Sequence, residues 1–543
     1  MPHRSFGQQL LTNWKSGLTV ALISLPLSIS LAIASDATPV MGIITAIWAG
    51  FVAAIFGGSR FNVVGPAGAL SGILTTYAIL LGVGILPILA IASGIVIILF
   101  GILRWDRYLI FIPSSVMHGF TLGVGLIIGL NQINFALGLK GLPAHESFME
   151  NLMESVMHVS DAHLPTLGLF FATLALLFLL LRFIPKLPGA VIAATLGIGI
   201  GYLSETGALP FTFLTLLSKY GALKATLIQI PVFTMPTLNF TLAKAVLTIS
   251  VVAVLETLLS AKIADGMTKT RFDQKKEMFG LGLANIASGL VGGLPATGVL
   301  ARTALNVKMG ATSRMSSAIN AVCILVIALL LFPVFQYLPL AVVAGILVFV
   351  AIRMVELEHF RQLFRFDKTM WGLALVVAAL TVAIDPIVGI LAGAAVALLI
   401  FVQHLSVGRS DITIHRDRKI IRRLSHRDIH KHEDHGDITV YRFAGELTYF
   451  NAESHERSIK RIKCETLILS LRNLFYLDVD GLHVLHVIIE DRRKHGIDVI
   501  LSAVSPFNEK MLKKTDWFRQ MDAQQKIFAS TTDALTALGF PLR

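Results

Sequence analysis

Fourteen predominantly apolar runs of roughly 15 to 22 residues succeed one another along the first three quarters of the chain, the length an α-helix needs to cross the hydrocarbon core of a bilayer. They lie near residues 16–34, 41–56, 66–84, 86–103, 109–130, 164–183, 189–204, 241–261, 278–293, 296–309, 316–335, 338–352, 370–385 and 387–405. From about Asp437 the pattern changes. Short strand-like runs, "DITVYRF", "ETLILSL" and "DVILSAV", alternate with helical stretches near 452–463, 481–494 and 507–515, the alternation of a small α/β domain. The expected organisation is an α-helical polytopic membrane domain over 1–408, a basic linker over 409–436 and a cytoplasmic α/β domain over 437–543. The first run has no small-residue cleavage signature behind it and reads as a retained span rather than a signal peptide.

Composition agrees with this division. Of 543 residues 55% are hydrophobic and 15% charged, and the mean hydropathy is +0.73, which excludes an ordinary soluble protein. The net charge of +12 would suggest a nucleic-acid partner in a soluble chain. Here topology absorbs it. With a cytoplasmic N-terminus, the inward-facing side holds 18 Lys and Arg of the membrane domain against 4 on the other side, as the positive-inside rule requires. An even number of spans then leaves both termini in the cytoplasm. Two cysteines, Cys323 and Cys464, imply neither a disulfide framework nor a thiolate metal site. The sequence contains no cofactor loop, metal cluster or nucleophile with its base, so no enzyme activity and no cofactor is expected. "GLGLANIASG" lies in an apolar span with no preceding strand, which rules out a dinucleotide loop. The histidines His426, His430, His432 and His435 are interspersed with charges and read as a solvated segment.

Two of the runs are interrupted. Gly57-Gly58 followed by Pro66-Ala67-Gly68 precedes the third, and Gly292-Gly293 followed by Pro295-Ala296-Thr297 precedes the tenth. The prolines are 229 residues apart, and adding that offset to the first run lands on the eighth. The chain therefore reads as two repeats of seven, about 16–204 and 241–405. Seven is odd, so the second repeat is inverted in the membrane. Paired interruptions at matching positions of inverted halves point to a transporter's midplane site. Irregular backbone survives at that depth only beside protein or water. With each proline in the first turn of a helix, the free amides near residues 67–70 and 296–299 are expected to face one another and hold an anion. Pro66, Ala67, Gly68, Ala69, Ala296, Thr297 and Gly298 form this expected binding surface, their small side chains admitting the anion to the amides.

Few charges fall inside the spans. Arg302, seven residues after Pro295, is expected two turns into the tenth run. An arginine there costs on the order of 3 kcal/mol on insertion scales and should face a cavity or a partner. It reads as the fixed positive charge for the substrate; the alternative is a structural ion pair with Glu256. Glu256 lies midway along the eighth run with Ser260 one turn later on the same face. A carboxyl group in that setting is either protonated or paired with a cation, so Glu256 and Ser260 are the expected ion-coupling pair. Asp265 reads as an interfacial structural charge, Asp36 and Asp385 as solvated ends, and His118 as a packing residue.

Two long stretches, from Gly17 to Leu70 and from Leu255 to Val307, closely resemble the SulP anion transporters, a family of sulfate permeases, bicarbonate transporters and prestin. The resemblance covers essentially the whole chain. It implies the seven-plus-seven inverted repeat with prestin-like core and gate domains, an elevator-type motion, a homodimer, and an anion between the third and tenth half-helices. Pro66 to Ala69 and Ala296 to Gly298 match the family's anion-binding amides, Arg302 its arginine in the tenth span and Glu256 its acidic residue in the eighth. Pro26-Leu27 resembles the bacterial branch. Leu300 stands where sodium-coupled bicarbonate carriers have a threonine, so a sodium ligand is missing and H+ is favoured over Na+ as coupled ion. The C-terminal region resembles the STAS domain. Its signature loop, with Asp478, Val479 and Asp480 before Gly481, has no hydroxyl for phosphorylation.

The expected function is secondary transport of a small inorganic anion (bicarbonate, sulfate or chloride) across the inner membrane by H+ symport or anion exchange. The alternatives are a C4-dicarboxylate transporter, an anion channel or voltage-responsive motor, and an anion sensor. Besides the anion and the coupled ion, the bilayer and a second copy of the chain are the expected partners, with no nucleic acid.

Overall fold

The structure is a computed structural model. It describes residues 5–105, 107, 112–140, 142, 148–184, 187–223, 227–231, 240–384, 386–425, 428 and 435–540. His426, His430, His432 and Asp385 lie outside the described residues. The chain forms two compact units, Met1–Ala397 and Leu398–Arg543.

Every apolar run of the first unit coincides with a helix. In the first half these are α1 (Phe6–Ala34), α2 (Pro39–Phe56), α3 (Gly68–Leu81), α4 (Ile85–Ile102), α5 (Ser114–Leu130), α6 (Leu164–Phe183) and α7 (Gly189–Glu205). In the second they are α8 (Phe240–Thr268), α9 (Gln274–Leu290), α10 (Leu300–Lys308), α11 (Met315–Phe335), α12 (Leu340–Met354), α13 (Lys368–Ala383) and α14 (Pro386–Ser406). Local chemistry sets several starts. Ser5 closes a capping box with Gln8 on α1, Thr38 caps α2 with Pro39 in its first turn, and the Asp273 carboxylate caps α9 at Lys276 N, each satisfying an amide that the helix cannot.

Nine helices among the described residues are long and apolar enough to cross a bilayer, and three more are apolar but shorter. By length and composition alone, these helices do not fix the number of crossings at fourteen. α10 has 9 residues and rises only about 14 Å, less than half the bilayer core.

Helix packing repeats with a shift of seven. α4 packs on α9 as α11 packs on α2, and α5 packs on α13 as α12 packs on α6. Likewise α3 meets α8 as α10 meets α1. Reciprocal pairing of this kind is the mark of two halves related by a two-fold axis. The short strands β1 (Val64–Gly65) and β2 (Thr297–Gly298) confirm it, pairing antiparallel with Val64 opposite Gly298 and Gly65 opposite Thr297. Within the first unit, α1–α4 pack mainly with α8–α11, and α5–α7 with α12 and α13. α9 and α4 approach through glycines. A Cβ on Gly282 would lie 2.7 Å from Gly94 O, and one on Gly94 2.6 Å from Gly282 O, so "GLGLANIASG" is a helix-packing face.

The second unit is the expected small α/β domain, with a six-stranded sheet in the order β4-β3-β5-β6-β7-β8. β5 (His435–Leu447), β6 (Lys463–Leu477), β7 (Asp498–Ser502) and β8 (Ile527–Phe528) are parallel, whereas β3 (Ser410–Arg416) and β4 (Lys419–Ser425) form an antiparallel hairpin on β5. The segment expected as a basic linker over 409–436 thus holds two strands of the sheet. β4 is the exposed edge, and its Lys419, Arg422 and Arg423 are the charges that protect such an edge; these same charges hid it from a reading based on hydrophobicity. Alternate residues of β5 feed opposite faces. Tyr441 and Phe443 enter one core with Leu467, Leu469 and Leu485, while Ile438 and Val440 enter another with Ile468, Ala534 and Leu535. Burial pushes the Cys464 thiol up to about 11, so it stays protonated and unreactive at neutral pH.

Candidate functional site

The two interrupted runs meet, but not in the expected form. Residues 64–65 and 297–298 are extended as β1 and β2, and the helices begin after them. The cap of α3 is Ala67, so Pro66 lies before the helix rather than in its first turn. The cap of α10 is Val299, five residues later than Pro295-Ala296 suggested. Strand pairing explains the delay, because the backbone at 297–298 is held extended by its partner. Arg302 is consequently the third residue of α10, at its tip, not two turns inside.

The amides also divide differently from expectation. Ala296 N donates to Asn285 Oδ1 at 2.8 Å, Gly298 N to Thr257 Oγ1 at 2.8 Å, and Val299 N to Val63 O at 2.9 Å. The amides of Ala296 and Gly298, expected to be free, are thus engaged within the fold. No side chain caps either half-helix, which leaves the first-turn amides, Gly68 and Ala69 on α3 and Leu300 to Arg302 on α10, as the unfilled donors.

Arg302 is 2% exposed, and its Nε and Nη2 have no hydrogen-bond partner. Its Nη1 lies where a side chain on Gly65 would fall, 2.8 Å from an ideal Cβ there; the absence of a side chain at 65 makes room for the guanidinium. Arg302 forms no ion pair among the described residues. A buried cation with open N–H groups costs several kcal/mol unless something negative meets it.

Glu256 is half-buried and accepts from Thr297 Oγ1 at 2.6 Å through Oε2. Ser260 does not join it. Its hydroxyl donates to Asn62 Oδ1 at 2.7 Å, so the expected Glu256–Ser260 pair divides between two different partners.

Asn62 is the centre of a network that sequence reasoning missed. Its Nδ2 donates to Glu277 Oε1 at 2.7 Å and to Thr257 O at 3.2 Å, while Oδ1 also accepts from Thr303 Oγ1 at 2.8 Å. Glu277 Oε2 takes the amides of Gly58 and Ser59, each at 2.7 Å. The buried irregular chain leading into β1 is thereby satisfied by α8, α9 and α10. Asn285 and Thr45 do the same for the second interruption, with Thr45 Oγ1 accepting Leu294 N at 2.6 Å. Polar residues inside apolar runs were the available signal. Glu277 follows Lys275 and Lys276 just outside the ninth apolar run, so nothing local marks it as buried. Asp265 is structural as expected, bonding Thr270 Oγ1 and accepting Phe272 N at 2.6 Å.

Inverted seven-helix halves with broken helices meeting at their interface define a multi-pass membrane protein of the transporter class. The chain belongs to the sulfate permease family, whose model matches residues 10–379, and carries a STAS domain matched over 430–534. Its members are anion transporters. The putative sulfate transporter YvdB of Bacillus subtilis is 30% identical over 516 residues, covering 94% of each chain. The bicarbonate transporter BicA of Synechocystis is 26% identical, covering 96% of this chain and 94% of its own. Among solved structures, the murine anion transporter Slc26a9 shares the fold with a TM-score of 0.82 at 15% identity, over 99% of this chain and 92% of that one.

Proposed function

We propose that the chain is a secondary transporter that carries a small inorganic anion, of the bicarbonate, sulfate or chloride class, across the cytoplasmic membrane. The observation that carries this reading is the buried guanidinium of Arg302 at the tip of α10, whose Nε and Nη2 have no hydrogen-bond partner among the described residues. A single anion supplies what that group lacks, and the first-turn amides of α10 and α3 add donors and two positive helix ends. Relatives named for sulfate and for bicarbonate support an oxyanion as cargo. Glu256 is the coupling group, its carboxyl exchanging a proton while held against Thr297, and H+ symport or anion exchange drives accumulation. Movement of the α1–α4 and α8–α11 group against the other helices, as an elevator, carries the site across. The working unit is a homodimer in the inner membrane, with both chain termini in the cytoplasm.

The test is uptake of labelled bicarbonate, sulfate, chloride and a C4-dicarboxylate into liposomes containing the purified protein, with and without proton and sodium gradients. Saturable uptake of an inorganic anion, raised by an inward proton gradient or by internal counter-anion, is the expected result. Flux of the dicarboxylate alone, current with no coupled ion, or no flux at all would overturn it.

A further inference from the structure

Away from the proposed anion site, α5 and the chain leaving α12 bring together three metal-ligating side chains. His118 is one turn into α5, Glu356 is the cap of the short helix Leu357–Phe366, and His359 follows in its first turn. His118 Nδ1 lies 3.2 Å from Glu356 Oε2, and His359 Nδ1 lies 3.0 Å from the same oxygen. One ligand atom from each residue can be chosen so that all three lie within 4.8 Å of one another. The two imidazoles stack with centroids 4.6 Å apart, and Phe360 meets His118 edge-on.

Two imidazole nitrogens and a carboxylate are a donor set for zinc and its first-row neighbours. Three tetrahedral ligands at about 2.0–2.1 Å from such an ion stand about 3.3–3.4 Å apart. Two edges of that triangle are already near this length, and rotation of the exposed His359 closes the third. The side chains are 17%, 32% and 54% exposed for His118, Glu356 and His359, so a solution ion can enter and water can take the open position. In the sequence Glu356 and His359 stand three residues apart, but His118 is distant from both and alone reads as a packing residue.

We propose that His118, Glu356 and His359 form a binding site for a divalent first-row transition-metal ion, which ties the start of α5 to the connection between α12 and α13. Without an ion, the same atoms form two N–H···O bonds to one carboxylate oxygen, and the test must separate the two arrangements.

Full-length protein in detergent, stripped with chelator, is titrated with zinc, and bound metal is counted after dialysis. One ion per chain is expected, with a Kd at or below about 10 µM. His118→Ala and His359→Ala should each weaken it by at least about tenfold. A variant with His426, His430, His432 and His435 all changed to alanine should bind as the parent does. Cobalt gives a second readout, a visible absorption band that disappears in His359→Ala, whose side chain is exposed enough for the fold to survive. Binding no tighter than about 1 mM, or binding in His118→Ala and His359→Ala as tight as in the parent, would overturn the proposal and leave only the hydrogen-bonded triad.

Discussion

The tips of α3 and α10 are built from equivalent parts of the two repeats, yet they have become different objects. α3 begins on Ala67-Gly68-Ala69, all buried, and carries no charge in its first turn. The space beside Gly68 is filled by Ile128 of α5 and Met354 of α12, whose Cδ1 and Sδ would stand 2.7 and 3.2 Å from a Cβ there. α10 begins beside an exposed Ala301 and carries Arg302. One tip is a bare helix end packed beside the second helix group, and the other carries a fixed, buried charge. On the proposed reading, an inverted repeat divides labour in this way: the geometry is duplicated, and one guanidinium serves both halves. A second arginine facing the first would add like-charge repulsion in a medium of low dielectric.

The sharpest way to break this comparison is to remove the support of the first tip. Glu277→Ala leaves the Gly58 and Ser59 amides and the Asn62 side chain without their acceptor. It should lower stability by about 3 kcal/mol, read as a large fall in thermal unfolding temperature with loss of folded yield. Unchanged melting would show that the network is incidental.

Arg302→Ala addresses the second tip. Anion affinity should fall more than about tenfold, or about 1.4 kcal/mol, while the melting temperature without anion is unchanged or raised, since a buried charge with open N–H groups is removed. Added anion should raise the melting temperature of the parent and not of the variant. A structural ion pair would give the opposite sign in the anion-free protein.

Glu256→Gln keeps an oxygen acceptor for Thr297 while abolishing titration. Gradient-driven accumulation should vanish, with affinity changed by less than about threefold. Persistence of proton-driven uptake would remove Glu256 as the coupling group. The smallest effect is expected at Gly68→Ala, where Ile128 can rotate aside: less than about threefold in transport. A total loss would mean that α3, not α10, holds the anion most tightly.

The membrane architecture was legible because burial in lipid forces long apolar runs, and all of them became helices. The inverted repeat was legible from one offset between two prolines. The meeting of the two interruptions was legible, and their register was not. Pro66 and Pro295 resembled first-turn residues, but strand pairing of Val64-Gly65 with Thr297-Gly298 delays both helices and brings Arg302 to the tip. A two-stranded pairing between residues so far apart in the chain leaves no local sequence trace. Glu277 and Asn62 escaped notice for the same reason, since each is meaningful only through a partner on another helix. In the STAS domain the central strands stood out by their apolar runs, while the charged hairpin of β3 and β4 was mistaken for linker.

The central claim is that an anion occupies the space between these tips, against Arg302. Electron-density or cryo-EM maps of the full-length protein with selenate or bromide test it directly. The account predicts anion density within about 3 Å of the Arg302 guanidinium nitrogens and beside the first-turn amides of α10. Density elsewhere, or an Arg302 side chain paired with a carboxylate while the anion is bound at another place, would contradict it.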